Sequence, residues 1–201
     1  MKKIYIFSLF LIVIAASCSS DDVQPASSEA MVLKNDSYEK DKNSRMYIPD
    51  FEQGEEVAAT LGPVNNPFTV THAEFFFGTT GESRTRDIIL KIYKEKLTSS
   101  PGNPFFIKRY TITATNEEEM VVIDLTEEQL YIPEGGSIRL SIEITDDGLP
   151  SIAHEWTGTI VPQRNWIKTG GMWINSETKG FDKDFILRAV IREGVPPIIN
   201  D

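Results

Sequence analysis

The sequence predicts an all-β domain: an antiparallel sandwich or barrel built from nine or ten short strands. Three observations carry that reading. Ile138, Leu140, Ile142 and Ile144 alternate with Arg139, Ser141, Glu143 and Thr145, a period of two that puts aliphatic side chains on one face of a half-buried strand. Turn-forming clusters recur along the chain at Gly62-Pro63 with Asn65-Asn66-Pro67, and over 78–81, 99–104, 133–136, 146–150 and 176–180. Helical spacing is nowhere sustained; the segment 126–131, with Thr126 three residues before Gln129, supports one turn at most.

In chain order, the first feature is Lys2-Lys3 followed by an apolar run from Ile4 to Ala16 that only Ser8 interrupts. This is the layout of a secretory leader. The run is shorter than the roughly 20 apolar residues a permanent spanning helix needs, so removal is expected. Residues 1–17 are read as this signal peptide. Ala15-Ala16-Ser17 lead into Cys18, the only cysteine. An exported chain with one thiol would carry it free or bridge to another molecule, unless the sulfur is modified. From residue 18 to about 45 the composition is Ser, Asp, Glu, Lys, Asn and Ala without an apolar period. Such a segment buries too little apolar surface to offset its chain entropy and reads as a flexible tether. Within it, Met31-Val32-Leu33 is apolar enough to lie on the domain or to add an edge strand.

Residues 46–201 are long enough for one domain with a sizeable core. Alternation recurs at Thr71-Ala73-Phe75-Phe77, at Ile88-Leu90-Ile92 and at Phe185-Leu187-Ala189-Ile191. Further strands are expected over 55–61, 105–114, 120–125, 152–158, 164–168 and 171–175.

Two resemblances follow from these residues. Ala15-Ala16-Ser17-Cys18 resembles the lipobox of bacterial lipoproteins, which implies cleavage before Cys18 and diacylglycerol on its sulfur, usually with a further acyl chain. The Asp21-Asp22 pair that follows Ser19-Ser20 is similar to the export signal of Bacteroidetes-type surface lipoproteins. This implies a place on the outer membrane facing the cell exterior, the periplasmic face being the alternative. Within the domain, Ala73-Glu74-Phe75-Phe76-Phe77, Leu90-Lys91-Ile92-Tyr93, Val122-Ile123-Asp124-Leu125, Ile132-Pro133 and Ile186-Leu187-Arg188-Ala189 resemble the jelly-roll, galactose-binding-like domains of secreted bacterial proteins. That likeness implies a jelly-roll-like sandwich and transfers no binding residue.

Charge narrows the partners. The chain has 30 acidic and 20 basic residues; loss of Lys2 and Lys3 with the leader leaves 18 basic residues and a net of −12. Nucleic acid and an anionic lipid surface both require a basic footprint, so neither is expected as partner. The membrane enters only through the lipid anchor.

Catalytic motifs are missing: no Gly-rich phosphate loop, no Gly-x-Ser-x-Gly elbow and no His-Glu-x-x-His helix, since His154-Glu155 is followed by Trp156-Thr157-Gly158. With only His72 and His154 present, His72 reads as a surface residue and His154 as a structural one. Paired acids could serve glycoside hydrolysis, and Glu143 with Asp147, or the run Glu117-Glu118-Glu119, are the candidates; a charge run is more often solvated. Asp146-Asp147 and Asp182-x-Asp184 lack the spaced loop of a calcium site, so no metal and no cofactor are expected.

The last third holds the best ligand-binding candidates. Trp156, Trp166 and Trp173 stand among Glu155, Arg164, Asn165 and Asn175. Flat rings cover the apolar face of a sugar while amides, carboxylates and guanidinium groups bond its hydroxyls. The competing reading is that the tryptophans fill the sandwich core. Trp166, beside Arg164 and Asn165, is the one expected to be partly exposed. The resulting expectation is a non-enzymatic, envelope-tethered binding or adhesion module, for glycans or for other envelope proteins. A structural lipoprotein without a small ligand is the alternative.

Overall fold

The structure, a computed structural model, describes residues 29–40, 42, 44–47, 51–77, 84–95, 101–114, 120–146 and 152–194. The leader, Cys18, Asp21-Asp22, Glu117–Glu119 and Asp147 lie outside the described residues. In chain order the strands are β1 (Ala30–Leu33), β2 (Arg45–Tyr47), β3 (Glu56–Val64), β4 (Phe68–Phe75), β5 (Arg84–Lys94), β6 (Phe106–Ala114), β7 (Val121–Asp124), β8 (Leu130–Ile132), β9 (Gly136–Ile144), β10 (Ala153–Glu155), β11 (Asn165–Thr169), β12 (Met172–Asn175) and β13 (Leu187–Glu193). No α-helix occurs among the described residues. The turn expected after Thr126 is a single 3-10 turn, Thr126–Glu128.

The strands form an antiparallel sandwich. One sheet has the order β12-β11-β3-β9-β5-β6, the other β1-β13-β4-β7 with β8 extending along β4, and β10 pairs with β2 in a small third sheet. The chain passes between the two large sheets at β3–β4, β4–β5, β6–β7, β8–β9 and β12–β13. Between the sheets, Val57, Leu61, Ile88, Leu90, Leu140 and Ile142 meet Phe68, Val70, Phe75, Leu187, Ala189 and Ile191, all fully buried. Each such aliphatic contributes about 1.5–3 kcal/mol on burial. No tryptophan belongs to this core.

Two local rules of the sequence give way to bulges. Thr71 was expected on the core face with Ala73, but the β4–β13 register shifts there: Val190 faces His72 and Ile191 faces Val70. The extra residue turns Thr71 aside, where its hydroxyl donates to the Val190 carbonyl at 3.1 Å. Gly62-Pro63, read as a turn, lies inside β3 where pairing with β9 slips between Leu61 and Val64. Gly62 has φ +98°, and a Cβ there would lie 3.1 Å from the Gly136 carbonyl, so the position needs glycine.

The tether expected over residues 18–45 ends by residue 30. β1 pairs with β13 across Met31↔Ile191 and Val32↔Val190, so the edge-strand alternative holds, and the domain extends N-terminal of residue 46. Past β1 the chain runs over the outer face of the five-stranded sheet. Asp36, 3 % exposed, accepts from Arg188 at both carboxylate oxygens, and Arg188 also donates to the Tyr38 carbonyl at 2.7 Å. Tyr38 packs edge-on to Phe76 in a second small core with Ala153 and Ile186. Arg45 stacks over Phe76 at 4.4 Å and donates to the Tyr38 hydroxyl. Composition hid this role, because the buried Asp36 reads as a linker residue and its partner Arg188 lies over a hundred residues away.

Candidate functional site

The alternation that sends Val57, Ala59 and Leu61 into the core sends Glu56, Ala58 and Thr60 to the opposite face of the six-stranded sheet. Register then sets their neighbours. Glu56 lies between Lys168 and Glu143, and Thr60 faces Arg139, which faces Tyr93. Two carboxylates directly opposite repel, and two lysines answer them. Lys91 donates to Glu56 Oε1 at 2.7 Å and to Glu143, and Lys168 donates to the same Glu56 oxygen at 2.7 Å. The other Glu56 oxygen accepts from Tyr93 Oη and Ser141 Oγ, both at 2.9 Å. Burial pushes the Glu56 carboxyl up, but the hydrogen bonds from Lys168, Lys91 and Ser141 outweigh it and hold the group below its ordinary range. Burial likewise lowers Lys91, while Glu143 and Glu56 bring it above its ordinary value. Tyr93 is raised by burial and by the Glu56 charge.

Toward one end of this face, the polar row becomes an aromatic corner. Arg139 is fully buried; its Nε and Nη2 donate to Glu95 Oε2, each at 2.7 Å. Its guanidinium sits 4.2 Å from the centre of the Trp166 ring and 5.1 Å from that of Trp173. Trp166 Nε1 donates to Thr60 Oγ1 at 3.1 Å, and Thr60 Oγ1 donates to Glu95 at 2.9 Å. Trp173 meets Tyr93 edge-on at 5.8 Å. Beside this corner opens a cavity of about 240 Å³ lined by Thr60, Glu95, Pro162, Gln163, Arg164 and Trp166. A wider, polar cleft of about 580 Å³ opens at the other end of the face, among Asp87, Ile89, Arg109, Thr111, Glu143 and Asp146.

The structure sorts the expected binding residues into three places. Trp166, Trp173 and Arg164 share the outer face of the six-stranded sheet. Trp166 was expected to be partly exposed; it is only 9 % exposed, because Arg139 covers one side of its ring. Trp156 is the open one at 55 %, in the bend after β10, and makes no ring contact with the other two. Asn165 is removed from the candidate ligand set. It lies between Arg164 and Trp166 in sequence and therefore points to the opposite side of β11, fully buried. There its Nδ2 donates to Asp184 and its Oδ1 accepts from the Phe185 amide at 3.0 Å, which ties β11 to the approach of β13. Burial pushes the Asp184 carboxyl up to about 6, against the hydrogen bonds from Asn165 and the Val161 amide.

The remaining candidates resolve as structural or solvent-facing. A ring nitrogen of His154 bonds the Glu155 carbonyl at 2.8 Å, and the ring packs near Phe181. His72 is half-buried, 4.0 Å from Asp124. Among the described residues no group of three or more His, Cys, Asp or Glu side chains is placed to hold a metal ion. Sequence reading missed Glu56, Lys91, Arg139, Glu95 and Thr60. Phase was the available signal: Glu56, Thr60, Lys91 and Arg139 are out of step with the core aliphatics of their strands, as Trp166 and Lys168 are in β11, and Glu95 continues the phase of Lys91 one residue past β5. Comparison with protein-family models, with curated proteins and with solved structures returned no match for this chain.

Proposed function

We propose that this protein is a non-catalytic binding module, lipid-anchored at Cys18 to the outer membrane of a bacterium and facing the cell exterior, with carbohydrate as its ligand and the outer face of the six-stranded sheet as its recognition surface. The observation that carries this reading is the position of Trp166. Its ring forms a cavity wall beside Arg164 and Gln163 on the solvent side of the sheet, instead of filling the space between sheets. An aromatic wall with a few convergent polar groups is the usual make-up of a small-molecule site. The anchor rests on the apolar leader and Cys18.

Glu56 is not held as the acid of a glycoside hydrolase would be. A general acid needs a carboxyl held above its ordinary range, and the facing pair Glu56 and Glu143 is instead bound by Lys91, with Glu56 lowered. A glycan array probed with the wild type, Trp166→Ala and Trp156→Ala tests the reading. Signal lost in Trp166→Ala and kept in Trp156→Ala is the expected result; no signal above background for the wild type rejects carbohydrate binding. Mass spectrometry of Cys18 checks the anchor, and protease shaving of intact cells checks which face of the membrane displays the domain.

A second reading, an assembly lipoprotein without a small ligand, is favoured by two of the edge strands, β1 and β6. Met31 and Val32 on β1 and Ile107 on β6, beside Phe105, are exposed. Such edges invite strand addition by another envelope protein.

A further inference from the structure

The small cavity beside Trp166 has a chemistry more specific than sugar recognition in general. Its two ionisable wall residues are Glu95 and Arg164. Glu95 is already answered by the buried Arg139 guanidinium at 2.7 Å and by the Thr60 hydroxyl at 2.9 Å. Thr60, in turn, spends its hydroxyl on Glu95 and on Trp166 Nε1. Arg164 has no such arrangement. Its backbone is fixed by the Thr60 amide, which donates to the Arg164 carbonyl at 2.7 Å, and by its own amide to the Val161 carbonyl at 3.3 Å. Its side chain is half-buried, makes no ion pair among the described residues, and its Nη1 is buried without a hydrogen-bond partner. A buried donor on a charged group left unsatisfied costs free energy, and a guanidinium is shaped to receive two carboxylate oxygens side by side. With the Arg139–Glu95 pair neutral, Arg164 is the remaining charged lining residue; the Glu177 carboxylate, which is not a lining residue, is engaged by the Gln163 amide at 3.2 Å. About 240 Å³ is below the roughly 300 Å³ at which sites for drug-sized ligands begin, so the occupant is about one ring in size.

We infer that this cavity takes an acidic monosaccharide, a uronic acid at the end of a glycan, with Arg164 binding its carboxylate and the small part of Trp166 left accessible at the cavity against its ring. The inference rests on the carbohydrate reading above and adds the ligand's charge. One acidic sugar on an otherwise neutral glycan is the class of ligand that fits, since a polyanion would meet a chain whose net charge is −10.

Calorimetric titration of the detergent-solubilised full-length protein tests it with three probes: methyl glucuronide, methyl glucoside and sodium acetate. Methyl glucuronide is expected to bind about tenfold to a hundredfold more tightly than methyl glucoside, the range of a charge-assisted hydrogen bond. Arg164→Gln is expected to abolish that preference, and Arg164→Lys to restore part of it, with the melting temperature of both variants within a few degrees of wild type. Equal binding of the two glycosides, with Arg164→Gln without effect, overturns the carboxylate assignment and leaves the carbohydrate reading standing. Acetate binding as tightly as the glucuronide, with no response to the glucoside, overturns the sugar component of both. No binding of any probe overturns both together.

Discussion

The two large sheets both carry charged side chains on the face turned away from the core, and they deal with them in different ways. On the five-stranded sheet, Arg188 is met from above by the protein's own N-terminal arm through Asp36 and the Tyr38 carbonyl. On the six-stranded sheet, Glu56 is met from the sides by Lys91, Lys168, Tyr93 and Ser141 on neighbouring strands. Satisfaction from above closes a face. Satisfaction from the sides leaves the space above it open, and this second sheet is the one with cavities at both ends of its outer face.

The largest expected effect breaks the covered face. Asp36→Ala strands Arg188 beneath the arm and should cost about 3–5 kcal/mol, the usual result of removing one partner of a buried pair; urea denaturation measures it, and hydrogen exchange at residues 34–40 should rise with it. Trp166→Ala comes next at about 3 kcal/mol, since it empties a large buried volume and uncovers Arg139. Glu56→Gln should cost less than Asp36→Ala, about 2 kcal/mol, because Lys91 keeps its ion pair with Glu143 and Lys168, at 28 % side-chain exposure, can turn toward water. If Glu56→Gln proves the costlier of the two, the distinction between the faces fails. Trp156→Ala should change stability by no more than about 0.5 kcal/mol, as an exposed side chain outside both cores.

Proton linkage sharpens the same contrast. The Glu56 carboxyl is lowered in the fold, so its contribution is present above its ordinary value of 4.5 and is lost as pH falls below that toward the folded value. The stability gap between wild type and Glu56→Gln should therefore be full at neutral pH and shrink in acid. Asp184 runs the other way. Its folded value is about 6 against 3.8, so its contribution is complete below 3.8 and is lost as pH rises through 6. A carbon-detected titration of the Asp184 carboxyl should find a midpoint near 6.

Particular residues show where sequence reading reached and where it stopped. The ten expected strands are all present; β1, offered as an alternative, is present too, and only the three-residue β2 and β8 went unseen, being too short for a period to show. Asn165 was misassigned to the ligand set although period two alone separates it from Trp166 and Arg164. The arm over residues 34–40 could not be recognised, because Asp36 and Ser37 look like linker residues until Arg188 and Glu155 are brought to them. For the site, residue type was legible and adjacency was not: Trp166 and Arg164 were named, while Glu56, Lys91, Glu143 and Lys168 come from four separate strands.

By itself the sequence determined what repeats locally: strand positions and the face each aliphatic occupies. Those follow from steric periodicity and hydrophobic content, which act over a few residues. Only the tertiary structure decided that Trp166 leaves the core for a cavity wall, that Arg164 stands there without a partner among the described residues, and that the polar arm is part of the domain. Each depends on register between strands distant in sequence, and on whether a buried charge finds its counter-charge overhead or alongside.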